Sequence, residues 1–448
     1  MDVALQVRKH LPRDPQATIE IVDEYCTPYQ DLFEDVRNHE CFKYLHLGII
    51  AEIPRKSLPE IAKVVGINSA QSLHHFIANS PWSVEELRKK RLRLIKEHLG
   101  KEAITVIIDE TGDRKKGKKT DYVARQYLGS IGKTDQGIVS VNAYGLWKNL
   151  TFPLLFQVFK PKGTLKEGDK YRTKITIATE MITELIELGL KIELVLADSL
   201  YGESSEFIEV LKRHQLFYIV AIRSNHGVWL PQGQRVRANK WFQFTRTFSD
   251  GNTETRWIRE IVYGKRRQIT YWQLTTDTET LPENSTSFIM TNLPGDLKRK
   301  LKDLKEKLGN LYGNRTWVEY GFRQGKQELG WTDYRFTGFP EIEKWWEIIF
   351  SAYLMVSLEA LKLLRIQEAE SEKTEQNSLL INEPGHQDWN PVKNWKNVLN
   401  NLRLLTQPLL IFHLIKPWLE VFPNLDLLLG FNALLGELSQ FQFYFSSG

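Results

Sequence analysis

Tyr312, Arg315, Glu319 and Lys326 stand in the stretch 311–333, LYGNRTWVEYGFRQGKQELGWTD. On one helix they fall at i, i+3, i+7 and i+14, close to whole turns, so all would project from one face. A carboxylate, two cations and a phenol on one stripe suit a divalent metal beside a phosphodiester. An amphipathic helix with a solvated charged face has the same look. Such a stripe needs acidic partners elsewhere. AITVII, residues 103–108, runs straight into Asp109 and Glu110, and IELVLA, residues 192–197, into Asp198. Both runs read as short strands buried on both faces and ending at the acids. The carboxyl ends of strands are where an open α/β sheet places its chemistry, although an Asp there is also a common cap or turn residue. Asp109, Asp198 and Glu319 together could hold two Mg²⁺ ions for in-line phosphoryl transfer.

The elements that must position these residues follow from pattern. Residues 122–130, 138–147 and 152–159 read as strands, 174–188 as a helix, 204–214 as a helix and 216–222 as a strand. Strands first, then strand and helix alternating, indicate an α/β fold with a mixed sheet and helices on its faces. Residues 224–294 alternate in Thr, Trp, Tyr and Arg and read as a β-rich insertion, in which Trp229, Trp241, Trp257 and Trp272 are candidates for stacking on bases. A Lys-rich helix at 297–308 leads into the motif. A long apolar helix at 342–364 is expected to pack behind it. The organisation expected is a helical DNA-binding region 1–100, a catalytic core in two parts, 101–223 and 296–366, around an insertion 224–295, a polar linker 367–390 and a helical C-terminal region 391–448.

Within the first region, residues 58–80 have a helix, a turn at Gly66 and a second helix, the layout of a helix-turn-helix, with His74 and His75 exposed. Residues 84–99 read as a helix that packs by its leucines and points Arg88, Lys89 and Arg91 outward, to phosphates or to solvent. Charge is uneven: residues 1–40 hold 4 basic and 9 acidic side chains, residues 88–133 hold 14 basic, Lys115 and Lys116 among them, and 6 acidic. A polyanion partner for the middle of the chain is the natural inference.

Composition bounds the rest. The 448 residues, 42% hydrophobic and 26% charged, are those of an ordinary soluble protein with two or three domains. No apolar run approaches the roughly 18 residues that span a bilayer and the N-terminus lacks an apolar signal core, so a cytoplasmic protein is expected. Cys26 and Cys41 are too few for a disulfide framework or a Cys-rich zinc site and read as buried thiols. GDRKKGKKT, residues 112–120, fails as a phosphate loop because Lys119 stands where Ser or Thr is needed. A glycosidase would use paired carboxylates but would not explain the cations beside Glu319.

With the motif, the two acids, the run IIDETGDRKKGKKTDYVARQYLGSIGK at 107–133 and the phrase VEYGFRQGKQELGW, the chain resembles the DDE transposases of bacterial insertion sequences. It is similar to the branch with the Tyr-Arg-Glu-Lys signature, the 701 family within the insertion sequence 4 group, over about residues 41–364. The resemblance implies an RNase H-like core and cut-and-paste transposition. Asp109, Asp198 and Glu319 would bind two Mg²⁺, for which Mn²⁺ could substitute, and Tyr312, Arg315 and Lys326 would hold the DNA backbone near the transposon end. It also implies hairpin ends, a flipped base received by one of the four tryptophans, and double-stranded DNA partners in the terminal inverted repeats and the target. A homodimer on DNA is expected, with the apolar tail as a plausible interface. After Asp198 come Ser199, Leu200, Tyr201 and Gly202, which shifts the family's aromatic by one. An inactive or domesticated DNA-binding relative and an RNase H-like structure-selective nuclease are the alternatives.

Overall fold

The computed structural model describes residues 13–227, 238–248, 252–262, 268–294, 301–376 and 394–439. In chain order, α1 (Glu20–Cys26), α2 (Val36–Ile50), α3 (Leu58–Val64), α4 (Gln71–Ala78) and α5 (Val84–Leu99) precede the strands β1 (Ile104–Arg114), β2 (Ala124–Leu128), β3 (Lys133–Trp147) and β4 (Leu150–Val158). Next come α6 (Lys174–Glu187), β5 (Ile192–Ala197), α7 (Ser199–Gly202), α8 (Ser205–Arg213) and β6 (Tyr218–Ile222). β7 (Phe242–Thr247), β8 (Thr253–Glu260), β9 (Thr270–Thr275) and β10 (Ser287–Thr291) follow. The chain closes with α9 (Leu301–Gly313), α10 (Thr316–Arg323), a π-helical turn (Gln324–Glu328), α11 (Phe339–Gln376), α12 (Trp395–Val421) and α13 (Leu425–Ser439). Two compact units result, a helical one (Met1–Arg91 with Gln327–Gly448) and a sheet unit (Leu92–Lys326).

The sheet unit is a mixed sheet of order β2-β3-β1-β5-β6-β10-β9-β8-β7, with β4 also on β3. β1 is antiparallel to β3 and parallel to β5, and β5 is parallel to β6. The apolar run before Asp109 starts the strand as expected but does not end it. β5 stops opposite Ile108, whereas β3 pairs with β1 as far as Arg114, so Asp109 lies inside a strand rather than at its end. β3 is long enough to take β2 along residues 133–137 and β4 along residues 140–147 on one side. In β4, Pro153 pairs with Tyr144 beside a register shift, a position open to proline because, among the described residues, the ladder of β4 is with β3. The β-rich insertion is present as strands, and these extend the same sheet through the antiparallel pair β10–β6.

In the helical unit α11 packs on α2, α4 and α12. It also packs on the end of the motif stretch, as expected: the Trp331 ring centroid lies 5.0 Å from Trp346 and 5.1 Å from Phe350, and Trp345 donates to the Gly330 carbonyl at 3.2 Å. A buried polar thread crosses this core: Tyr25 donates to the Ser351 carbonyl at 2.8 Å, and a His46 ring nitrogen lies 2.8 Å from the Ser351 hydroxyl. α3 and α4 meet through Gly66, whose φ of +75° favours glycine. Leu73, Phe76 and Ile77 bury one face of α4 and leave His74 and His75 exposed, as expected. Cys26 and Cys41 are buried free thiols.

Two expectations are corrected in this unit. Arg88 and Arg91 do not point outward. Arg91 donates to Glu347 at 2.6 Å with both side chains 0% exposed, and Arg88 reaches Glu347 at 3.1 Å and Glu343 at 3.4 Å. Acids on α11 draw these arginines inward, which takes them from the proposed phosphate-binding face; Lys89 stays half-exposed, paired with Glu85 and Glu86. The stretch read as a linker from residue 367 is helical through Gln376; its remainder lies outside the described residues. Although no apolar run had looked long enough, α12 is long and apolar enough by length and composition to cross a membrane, with Pro408 and Pro417 inside it. It packs on α2, α3, α11 and α13.

Candidate active site

The parallel register that pairs Ile108 with Ala197 makes their successors neighbours, Asp109 within β1 and Asp198 just past the end of β5. Asp198 leaves β5 and caps α7, accepting from the Leu200 amide at 2.9 Å. The cap role and the site role coincide in one side chain. Along β1, Asp109, Thr111 and Asp113 share a face, and Glu110 points to the other, where Lys174 at the start of α6 meets it at 2.6 Å.

The motif lies along that face, but not as one helix. Tyr312 belongs to the end of α9, Arg315 stands at the N-cap of α10, Glu319 is in its first turn, and Lys326 sits in the π-helical turn. The expected continuous stripe is therefore corrected to three pieces, broken first at Gly313, a poor helix former. The pieces nevertheless converge. Arg315 donates through Nη1 to Asp109 at 3.1 Å and through Nη2 to Glu319 at 3.4 Å, tying the first and third carboxylates together. Lys326 donates to the Thr111 hydroxyl and the Gly112 carbonyl, both at 2.7 Å. Gly321 leaves room for this packing, since a Cβ there would lie 2.7 Å from the Tyr144 ring.

Burial dominates the electrostatics. It pushes the Asp109 carboxyl up to about 7; Arg315 opposes the rise, and Asp198 and Glu319 add to it. Burial also brings Lys326 down to about 8, against the pull of Asp113. Burial likewise works against the Arg315 guanidinium, but Tyr312, Asp109, Glu319 and Asp198 hold it above its ordinary range. The half-buried Tyr312 phenol is raised by burial, with Arg315 opposing.

Among the described residues no three His, Cys, Asp or Glu side chains stand together as a metal-holding group. A guanidinium bridges the carboxylates instead. The donor chemistry still fits a hard divalent cation: the groups are carboxylate oxygens, and both Asp198 and Glu319 act on Asp109 with like charge.

The remaining candidates scatter. Lys115 is paired with Asp113 at 2.7 Å, and Lys116 is exposed. Trp241 is half-buried with the Arg259 guanidinium 4.2 Å from its ring centroid, and Trp257 is half-buried on β8. Trp272 is corrected to a core residue, 3% exposed and donating to the Thr270 hydroxyl at 2.8 Å, which closes it to a base. Trp229 lies outside the described residues. Two further residues stand near the acids. Tyr201, the aromatic noted by its spacing after Asp198, is buried beside Glu110, Asp198 and Asp109 with no hydrogen-bond partner for its hydroxyl among the described residues. Arg246, on β7, reaches the end of α9, and nothing in sequence marked it out from the other arginines of the insertion.

Comparison with known proteins gives the family. The model of a family described as DDE superfamily endonuclease matches residues 29–243, which include Asp109 and Asp198. A protein of Microchaete diplosiphon described as a probable transposase for insertion sequence element IS701 is 54% identical over 333 residues, 74% of this chain and 86% of that protein. At that identity and coverage the chain belongs to the DDE superfamily endonucleases, in the family of this IS701 transposase.

Proposed function

We propose that the chain is a DNA transposase that excises an insertion sequence and joins it to new DNA, built on an RNase H-like core. The observation that supports this most is the convergence of Asp109 and Glu319 on Arg315, with Asp198 next to Asp109 in the strand register. Asp109, Asp198 and Glu319 are the residues to hold two Mg²⁺, or Mn²⁺ in their place. When bound, such ions stabilise the attacking and leaving oxygens of an in-line displacement.

The protein's own groups do the rest. Asp109, near 7, is ionised in part at neutral pH, and a cation would complete its ionisation. The Glu319 side chain is 57% exposed, so its contact with Arg315 opens at little cost and frees both groups. Arg315, Lys326 and Tyr312 then hold the DNA backbone by charge and hydrogen bonds. Trp241 and Trp257 are the described candidates to receive a flipped base if the ends pass through hairpins. The partners are the terminal inverted repeats and the target duplex, two ends are joined by a homodimer assembled on DNA, and the work is done in the cytoplasm.

The test is to incubate the protein and Mg²⁺ with a supercoiled plasmid carrying its reading frame and native flanks, beside Glu319→Gln. Metal-dependent excision at fixed flanking positions, lost in the variant, is the expected outcome. Binding to those flanks with no cleavage by either protein would leave a DNA-binding relative.

A further inference from the structure

The strands after β6 bring to the motif a cation that the motif does not contain. Gly309 and Gly313 stand four apart on α9 and share a face, and β7 packs on that helix. A Cβ at Gly309 would lie 2.3 Å from the Phe244 ring, and one at Gly313 would lie 3.0 Å from Arg246 Nε. The missing side chains let the strand come this close. From there Arg246 donates through Nη2 to the Gly313 carbonyl at 3.4 Å, its guanidinium carbon 4.5 Å from the centroid of the Phe248 ring. Its Nε is buried and has no hydrogen-bond partner.

Arg256 and Arg315 act on Arg246 with like charge; Glu254, opposite it in the β7–β8 ladder, and the Tyr312 phenol act the other way. Glu254 is engaged by Arg256 at 2.6 Å, and Arg315 is directed to Asp109 and Glu319. Burial first, then Arg256, pulls the Arg246 pKa down. A buried donor without an acceptor is costly, and such groups in native proteins call for an absent partner. The partner that satisfies an unpaired N–H amid several guanidiniums beside a phenol is an anion with several acceptor oxygens.

We propose that Arg246, together with Arg315 and Tyr312, forms a cradle for one backbone phosphodiester of the bound DNA, so that the inserted strands contribute a backbone contact directly at the catalytic motif. The proposal rests on the DNA transposase reading. It adds a strand-borne contact to the helix-borne ones.

The experiment keeps Glu319→Gln as background, so that binding is read without cleavage. The probe is a duplex of the element's own end, taken from the flanks of the reading frame, with affinity measured by fluorescence anisotropy over a range of salt. Adding Arg246→Ala is expected to weaken binding about tenfold and to lower the salt slope by about one. Arg246→Lys is expected to keep the slope while binding more weakly, because a point charge lacks the guanidinium fork. Should Arg246→Ala fail to fold, Arg246→Lys decides by the same measurement. Parental affinity in Arg246→Ala or in Arg246→Lys, with the parent itself bound, overturns the cradle. Failure of the parent to bind the end duplex overturns the transposase reading, a distinguishable result.

Discussion

Arginine meets carboxylate in both units, and the two meetings differ in what they leave free. In the helical unit Arg91 and Glu347 are both 0% exposed, and Arg88 closes on the same glutamate. In the sheet unit Arg315 is 24% exposed, Asp109 13% and Glu319 57% as side chains. The first arrangement is sealed: each charge has its partner, and exchange would strand an ion in the core. The second has one buried end and one wet end, so that Glu319 is free to leave Arg315 while Asp109 stays fixed on its strand. On the proposed function the same residue types serve architecture in one place and chemistry in the other, and burial of both partners decides which.

The largest expected effect tests the open pair. Glu319→Gln should lower DNA cleavage by at least about 10³-fold while shifting the melting temperature by only about 2 °C or less. A large loss of melting temperature would mean that this pair, too, is structural. Next comes the sealed pair. Glu347→Ala leaves two arginines without their shared acid and should destabilise the helical unit by about 3–5 kcal/mol, read by urea unfolding. Stability within 1 kcal/mol of the parent, a threshold small beside that range, would break the contrast.

A pH series sharpens it further. Asp109 titrates near 7 in the fold against 3.8 as an ordinary aspartate, so the fold favours its protonated form. Its contribution to stability is present below about 4 and is lost as pH rises through about 7. In metal-free protein, Asp109→Asn should therefore gain stability relative to wild type between pH 5 and pH 8, measured by denaturant unfolding at each pH. An identical pH dependence in the two proteins would remove Asp109 as the titrating group. The smallest effect concerns lone surface cations. Lys116→Ala should lower the salt slope of DNA binding by about one, whereas Lys89→Ala, whose charge is already shared with Glu85 and Glu86, should change it less.

Part of the fold around the candidate site was legible in the sequence. An apolar run located β5 at its observed bounds and leucines at helical spacing located α5 at its observed ends, and the acids after the apolar runs are brought side by side. Local pattern fails where a distant partner decides. Arg91 looks like an outward cation until Glu347, far along the chain, turns it inward. β1 outlasts its apolar run because β3 continues beside it, a pairing that local pattern does not reveal. Whole-turn spacing suggested one helix for Tyr312 through Lys326, but the break at Gly313 and the π-helical turn depend on how α9 meets β7 and how Lys326 reaches β1. Trp257 and Trp272 look alike in sequence and separate by the sheet face each meets, since Trp257 pairs with Thr275, an odd number of residues from Trp272, and of the two Trp272 is the buried one.

Pro153 carries a consequence for the protein as a solute. Among the described residues β4 has its ladder with β3, and every residue of β4 but Gln157 is buried. Pro153 removes one backbone donor from β4, and the register shift opposite it bends the ladder. A strand edge that met solvent would be a template on which further chains could align. Buried and short of one donor, β4 makes a poor one, which favours solubility when many copies are present at once, a safeguard set into a strand remote in sequence from the acidic motif.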